Sequence, residues 1–399
     1  DTWKLLLICV PSLELVEQWE ADVRLFYPNT PIIKCGSPYR GHKELLKSLT
    51  QARFPEQVVV ISTYDSAQGD YYMAKWKLAK TEQFAMICDE VHNMGAPKSQ
   101  CLMELNPAYR IGLSATPRRN FDEIGSEKIL DFYHQNTFEF SIKDAQREHY
   151  LVEYQYRILP CAMPEDDWEL YKTFSREIVQ LQHTLEQEDN EKEQLRLRQR
   201  IEGRYRDRAK LLKKNDQKAQ TLQTIFDEIP PTARVLIYGD DLHHLAEIGQ
   251  ALDHMGKYYF KYTGELDAQK ERLTILKEFR QGIRKILLAI GCLDEGIDIP
   301  ACDVAVFISS STSERQFIQR RGRVLRVAPG KTSAWIYDYL VYPILSARTN
   351  DDERRLALSM IDAQYRRINL MVEDAINGIQ ERQKLDQFLS QRRLNPYDF

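Results

Sequence analysis

Two α/β lobes, each built on a parallel sheet, separated by a helical insert and followed by a helical extension, are the architecture this 399-residue sequence predicts. Three observations lead there. Short apolar, β-branched runs alternate with helix-period segments in two separate stretches, the pattern of doubly wound parallel sheets. Between them lies a Glu-, Gln-, Lys-, Arg- and Leu-rich stretch, residues 165–228, with one glycine (Gly203) and no proline. After the second α/β stretch the chain turns charged and helical again, from about Ala347 to Gln391.

Taken in order, Leu5 to Val10 predicts a strand and Leu13 to Phe26 a helix with apolar residues at helical spacing. Val58 to Ile61, Phe84 to Cys88 and Ile111 to Leu113 predict further buried strands. The insert predicts long helices, paired antiparallel and turning near Glu186 to Glu193, and Pro230-Pro231 closes it. The second lobe draws strands from Val235 to Tyr238, Tyr258 to Tyr262, Ile286 to Ile290, Val304 to Ile308 and Trp335 to Tyr339, with a helix at Leu242 to Met255. The expected domains are a first lobe at 1–140, a linker and helical insert at 141–230, a second lobe at 231–345 and the extension at 346–399.

Composition narrows the class. With 43% hydrophobic and 29% charged residues, the chain is that of a soluble globular protein with no run long enough to span a bilayer. Seven scattered cysteines form no repeated C-x-x-C pair, which argues against a disulfide framework or a zinc site and for a reducing compartment, cytoplasmic or nuclear. The net charge of -4 argues against coating nucleic acid by bulk charge, but not against a local basic groove.

The chemistry sits at predicted strand ends, where open α/β sheets gather functional residues. Asp89-Glu90-Val91-His92 ends one strand and Ser114-Ala115-Thr116-Pro117 follows another. A carboxylate at a strand tip suits the water shell of Mg²⁺, and the next can orient or deprotonate a water attacking a phosphate. An ordinary surface Asp-Glu pair at a strand end is the alternative reading. Far downstream, Gln319-Arg320-Arg321-Gly322-Arg323-Val324-Leu325-Arg326 places Arg320, Arg323 and Arg326 at the spacing of one helical face.

Six segments in order carry a resemblance: Val10-Pro11-Ser12 with Gln18-Trp19, Ser62-Thr63-Tyr64, the Asp89–His92 box, Gly112 to Pro117, the loop Gly291 to Pro300, and the octet 319–326. Together, over residues 5–340, they resemble the superfamily-two helicases, most closely the branch of the excision-repair helicase XPB and the motor subunits of type I and type III restriction enzymes. The resemblance implies two RecA-like lobes and an ATP- and Mg²⁺-dependent helicase or translocase acting in repair, restriction or defence, with DNA the preferred partner over RNA. It gives Asp89 the Mg²⁺, through water, and makes Glu90 the catalytic base. His92, Ser114 and Thr116 couple nucleotide state to lobe movement. Gly296, Asp298 and Gln319 line the nucleotide, and Arg323 and Arg326 are the arginine fingers. Pro11, Ser12, Ser62, Thr63, Thr263 and Gly264 contact nucleic acid. Taken singly, each of those six reads more readily as a turn or cap residue and gains weight only from motif order, and Arg320 and Arg321 read as structural.

One departure stands out. The glycine-rich phosphate loop of the family precedes its Val-Pro-Ser segment, whereas Gly330-Lys331-Thr332, the one Gly-Lys-Thr here, leads into a strand and reads as a turn. The expectation is an N-terminally truncated motor, inactive alone, with a non-hydrolysing nucleic-acid scaffold as the alternative.

The insert carries nine cations between Arg196 and Lys214 against Glu202 and Asp207. They read either as a phosphate-tracking face or as a solvated helix paired with the acidic residues near 186–193. In position the insert resembles the thumb-like elements of the XPB branch. The insert and the C-terminal helices are also the places where protein partners would dock.

Overall fold

The computed structural model of the chain describes residues 3–36, 39, 57–77, 79, 81–116, 122–215, 217–263, 269–290, 302–309, 314–346 and 348–394. These fall into two compact units meeting in sequence between Glu139 and Phe140. Each is an α/β unit on its own parallel sheet, and helices close the C-terminus.

In the first unit the elements run β1 (Leu5–Val10), α1 (Leu13–Phe26), β2 (Ile32–Cys35), β3 (Val58–Thr63), α2 (Tyr64–Ala67), α3 (Asp70–Trp76), β4 (Phe84–Asp89), β5 (Tyr109–Leu113) and α4 (Glu123–Phe132). The strand order is β2-β3-β1-β4-β5, all parallel. All six residues of β1 are buried because the sheet is covered on both faces. Leu5, Leu7 and Cys9 pack with Trp76, Ile129 and Phe132 on one side, while Leu6, Ile8 and Val10 pack with Val16 and Val23 of α1 on the other. That is why β1 reads as a continuous apolar run rather than an alternating one. β5 is an edge strand whose Tyr109, Ile111 and Leu113 are exposed.

The second unit contains α5 (Ile142–Arg147), β6 (Glu153–Met163), α6 (Glu165–Glu186), α7 (Glu191–Lys213), α8 (Gln217–Gln220), α9 (Leu222–Glu228), β7 (Val235–Tyr238), α10 (Leu242–His254), β8 (Phe260–Tyr262), α11 (Gln269–Arg280), β9 (Ile286–Ala289), β10 (Val304–Phe307), α12 (Glu314–Val324), β11 (Ser333–Pro343), α13 (Asp351–Val372) and α14 (Gly378–Ser390). Its sheet order is β6-β11-β10-β7-β9-β8. β6, a strand the periodicity reading does not assign, pairs along its whole length with β11, from Ser333↔Glu153 to Pro343↔Met163. Its burial alternates at every second residue in its first half, the mark of a strand on an edge.

The predicted antiparallel pair is α6 and α7, joined through residues 187–190 and capped by Asn190, whose side chain accepts from Lys192 and Glu193. Arg204 pairs with Glu177 at 2.6 Å and Arg208 donates to Ser175 Oγ at 3.2 Å while facing the Tyr171 ring, contacts that zip the hairpin. Of the acidic residues near the turn, Glu193 pairs with Arg196 on its own helix. Arg198, Arg200, Arg206 and Lys210 are exposed.

The C-terminal helices close the β6 edge. The Asn377 amide brackets Tyr156, accepting from its N–H and donating to its carbonyl at 2.9 Å each, and Glu381 accepts from the Ile158 N–H at 3.3 Å. An open strand edge is thereby covered. Beneath, Arg367 of α13 donates to both carboxylate oxygens of Asp338 (2.9 and 3.2 Å), which also accepts from Tyr156 Oη at 2.8 Å. Among the described residues no helix is long and apolar enough to cross a membrane.

Candidate functional site

At the carboxyl edge of the first sheet, β1, β3, β4 and β5 end at Val10, Thr63, Asp89 and Leu113, so Pro11-Ser12, Asp89-Glu90 and Ser114 emerge together. Asp89 is held on three sides. Its Oδ2 accepts from the Trp19 indole at 2.9 Å, its Oδ1 from the Glu90 N–H at 2.9 Å, and its carbonyl from Tyr64 Oη at 2.8 Å. Burial pushes the Asp89 carboxyl above its ordinary range, opposed by the Trp19 N–H and assisted by the Glu90 charge. Trp19 and Tyr64 sit inside the quoted segments, yet no sequence signal gave them a role at Asp89. Each lies on a different element and meets it only in the fold.

Glu90 takes left-handed backbone, φ 47° and ψ 55°, the conformation a β-carbon disfavours. Such a residue costs about 1 kcal/mol or more and persists where its surroundings over-determine it. It turns the chain sharply off β4 into a 3-10 turn, Val91–Gly95. His92 is buried, its Nδ1 3.3 Å from Glu90 Oε2 and 3.5 Å from Ser114 Oγ, and the Thr116 N–H donates to that hydroxyl at 3.2 Å. Glu90, His92, Ser114 and Thr116 are therefore brought into one chain of contacts across the ends of β4 and β5.

The first-unit residues expected at nucleic acid are capping groups in their side-chain bonding. Ser12 Oγ accepts from Leu15 N–H at 3.4 Å at the start of α1, and Thr63 Oγ1 accepts from Ser66 N–H at 3.3 Å at the start of α2. Ser62 is wholly buried and donates to the Thr63 carbonyl. Beside them opens a cleft of about 500 Å³ lined by Pro11, Tyr64, Gln68, Asn93, Lys98 and Ser99 among others.

In the second unit, Thr263 is buried just past β8, while Gly264, Gly296 and Asp298 lie outside the described residues. The arginine octet divides. Arg320 is buried, donates to the Ser309 carbonyl at 3.3 Å and lies over the Tyr238 ring at 4.7 Å. Arg321 is buried between the Leu370 carbonyl (2.7 Å), Tyr154 Oη (3.2 Å) and Asp374 (3.1 Å). Gln319 and Arg323 are half-buried on α12, and Arg326 is exposed.

The single helical face expected for Arg320, Arg323 and Arg326 does not form. α12 stops at Val324, and Arg326 lies beyond it in an antiparallel bridge with Leu151. The physical reason is Lys331, whose buried ammonium gathers the carbonyls of Val324 and Arg326 at the helix end. Burial pushes that ammonium down from its ordinary value. Gly330, with φ 78°, makes the turn into β11, so Gly330-Lys331-Thr332 is the turn its sequence position predicts.

The chemistry of the donor set fits Mg²⁺. Asp89 and Glu90 offer hard oxygen ligands at a strand tip, and each Asp89 oxygen keeps a lone pair beyond its one hydrogen bond. Among the described residues no group of three or more His, Cys, Asp or Glu side chains gathers to hold a metal, so the fit is to an ion that keeps its waters.

Comparison with known proteins gives two family matches: "Type III restriction enzyme, res subunit" over residues 2–119, and "Helicase conserved C-terminal domain" over residues 217–328. The chain is 23% identical over 340 residues to DNA 3'-5' translocase XPB2 of Sulfurisphaera tokodaii, covering 80% of this chain and 69% of that protein. It is 26% identical over 329 residues to Rad25 of Haloarcula marismortui, a proposed DNA 3'-5' helicase, covering 81% of this chain and 44% of that protein. The chain thus spans about two-thirds of the first relative and less than half of the second. Among solved structures, the Hef helicase domain of Pyrococcus furiosus matches with a TM-score of 0.50 at 17% identity, covering 86% of this chain and 87% of that one, a likeness of fold.

Proposed function

Since the chain is a superfamily-two helicase with a res-subunit domain and a helicase C-terminal domain, we propose that it is the motor core of an ATP-driven DNA helicase or translocase. The observation that carries the reading is the linked set at the first sheet's edge: Asp89 fixed by Trp19 and Tyr64, and Glu90 tied through His92 to Ser114. Asp89 would hold Mg²⁺ through its waters, and the ion would supply charge neutralisation on the phosphates. Glu90 accepts the proton of the attacking water. His92, Ser114 and Thr116 convey nucleotide state along the ends of β4 and β5. Gln319 and Arg323 on α12, with Arg326 just beyond it, supply cationic and polar groups to the phosphates. Gly296 and Asp298, outside the described residues, keep the nucleotide-lining role that the family resemblance implies.

DNA as the substrate, and a 3'-5' direction, rest on the names of the relatives. Pro11-Ser12, Ser62-Thr63 and Thr263-Gly264 are assigned to the nucleic-acid backbone, with Ser62, wholly buried in β3, acting through the Thr63 carbonyl to which it donates. Protein partners would dock on the outer faces of α6 and α7 or of the C-terminal helices.

The test measures DNA-stimulated ATP hydrolysis by the full natural protein, beside Glu90→Gln and Arg323→Ala. Each variant is expected to lose on the order of 10²-fold or more in kcat with little change in DNA affinity. DNA binding without stimulated hydrolysis in the wild type identifies a non-hydrolysing clamp instead, and variants that match the wild type refute the assigned roles.

A further inference from the structure

Lys218, in α8, is buried, and its ammonium donates to three carbonyls: Leu212 at 2.6 Å, Lys213 at 3.3 Å and Ile308 at 2.9 Å. Three acceptors are what an ammonium requires. The first two close the C-terminal end of α7, where the helix dipole is negative; the third follows β10. Alongside, Lys213 pairs with Asp240 at 2.8 Å and Lys214 with Asp241, both just past β7.

From the other side comes α12. Its Arg320 claims the next carbonyl along, Ser309, and lies over Tyr238, the last residue of β7. The carboxyl ends of β7 and β10 are thus gripped between cations of the insert and a cation of the arginine helix. Consecutive carbonyls, at 308 and 309, go one to each.

We propose that Lys218 is a positioning residue that registers the end of the α6–α7 hairpin against the carboxyl edge of the second sheet, so that a load on the hairpin reaches α12 through residues 308–309. Arg320 receives it, on the helix that carries Gln319 and Arg323. The inference rests on the motor reading for its function, and on geometry for its path.

A buried charge is a costly way to fill space, and methionine would fill the same volume without it. Burial pushes the Lys218 ammonium down to about 7. Cys161 of β6, Asp338 of β11 and Asp240 favour its charged form, while Arg367 of α13 and His244 of α10 face it as well. The three carbonyl acceptors match the three N–H donors of the charged form and favour it against that burial. What the charge secures is direction: it fixes the hairpin end to the residue preceding Ser309.

The experiment compares the full natural protein with Lys218→Met, Lys218→Arg and Asp240→Asn. It reads basal and DNA-stimulated ATP hydrolysis, and hydrogen exchange across α12 with and without duplex DNA. Lys218→Met is expected to keep its basal rate and DNA affinity while stimulation falls about tenfold, the scale of a coupling free energy between sites. Lys218→Arg recovers part of that loss, and Asp240→Asn shows a smaller one. DNA slows α12 exchange in the wild type and leaves it unchanged in Lys218→Met. The proposal is overturned if folded Lys218→Met retains full stimulation and the α12 response, or if basal and stimulated rates fall together. Should Lys218→Met not fold, Asp240→Asn decides by the same criteria. An exchange response lost in Lys218→Met, in a wild type without stimulated hydrolysis, refutes the motor reading and upholds the coupling.

Discussion

The Trp19 indole donates to Asp89 Oδ2 at 2.9 Å across 70 positions of sequence, joining α1 to the end of β4. It lowers the proton affinity of a carboxyl that burial raises. On the proposed function the carboxylate is the form that serves a cation, so hydrolysis is expected to fall as pH drops through this raised value. Trp19→Phe removes the donor and moves the acid limb of the DNA-stimulated hydrolysis profile upward by about one unit, since a hydrogen bond to a charged group contributes about 1.5 kcal/mol or more. An unmoved limb in the variant removes Trp19 from the site.

Arg367 and Asp338 form a buried pair, 7% and 0% exposed in their side chains. Breaking one partner strands the other charge. Asp338→Asn is expected to lower unfolding stability by about 3 kcal/mol, while Asp338→Leu combined with Arg367→Met recovers most of it. Denaturant melts of the three proteins check this, and a double variant no better than the single one contradicts it.

Asn377 satisfies both main-chain groups of Tyr156 on the outer edge of β6. Asn377→Ala leaves them to water or to another chain's edge. The Tyr156 amide is expected to exchange about tenfold faster, a loss of about 1.4 kcal/mol locally, while the Ile158 amide, held by Glu381, and β10 change less. Uniform acceleration across the sheet shows global destabilisation instead.

Arg198, Arg206 and Lys210 are three of the exposed cations of α7, with Arg200 a fourth, while Arg204, Arg208, Lys213 and Lys214 are spent on hairpin and sheet contacts. If this face tracks a phosphate backbone, changing Arg198, Arg206 and Lys210 together to Gln reduces the slope of log affinity against log salt by about 2 to 3. A slope equal to the wild type's assigns that face to solvent.

How far the site could be read depended on the kind of contact involved. β1 and α1 are visible as local patterns because burial on both faces of a sheet leaves a continuous apolar run, and one buried stripe leaves a helical period. Asp89 and Ser114 are visible because each ends such a run. β6 is not: its polar residues alternate, and it becomes a strand by pairing with β11, which lies about 180 residues later. The end of α12 is equally invisible, because the lysine that draws the chain out of the helix acts from beyond it.

By itself the sequence determined which residues stand at strand ends, since hydrophobic period and motif order are properties of the chain. Tertiary structure alone decided which of them are bound to one another. Trp19 reaching Asp89, Arg320 and Arg321 turned inward, Lys218 closing the end of α7 and Asn377 sealing β6 all join distant segments. Hydrogen bonds of that kind depend on atoms within about 3 Å in space, a distance that leaves no periodic trace along the chain.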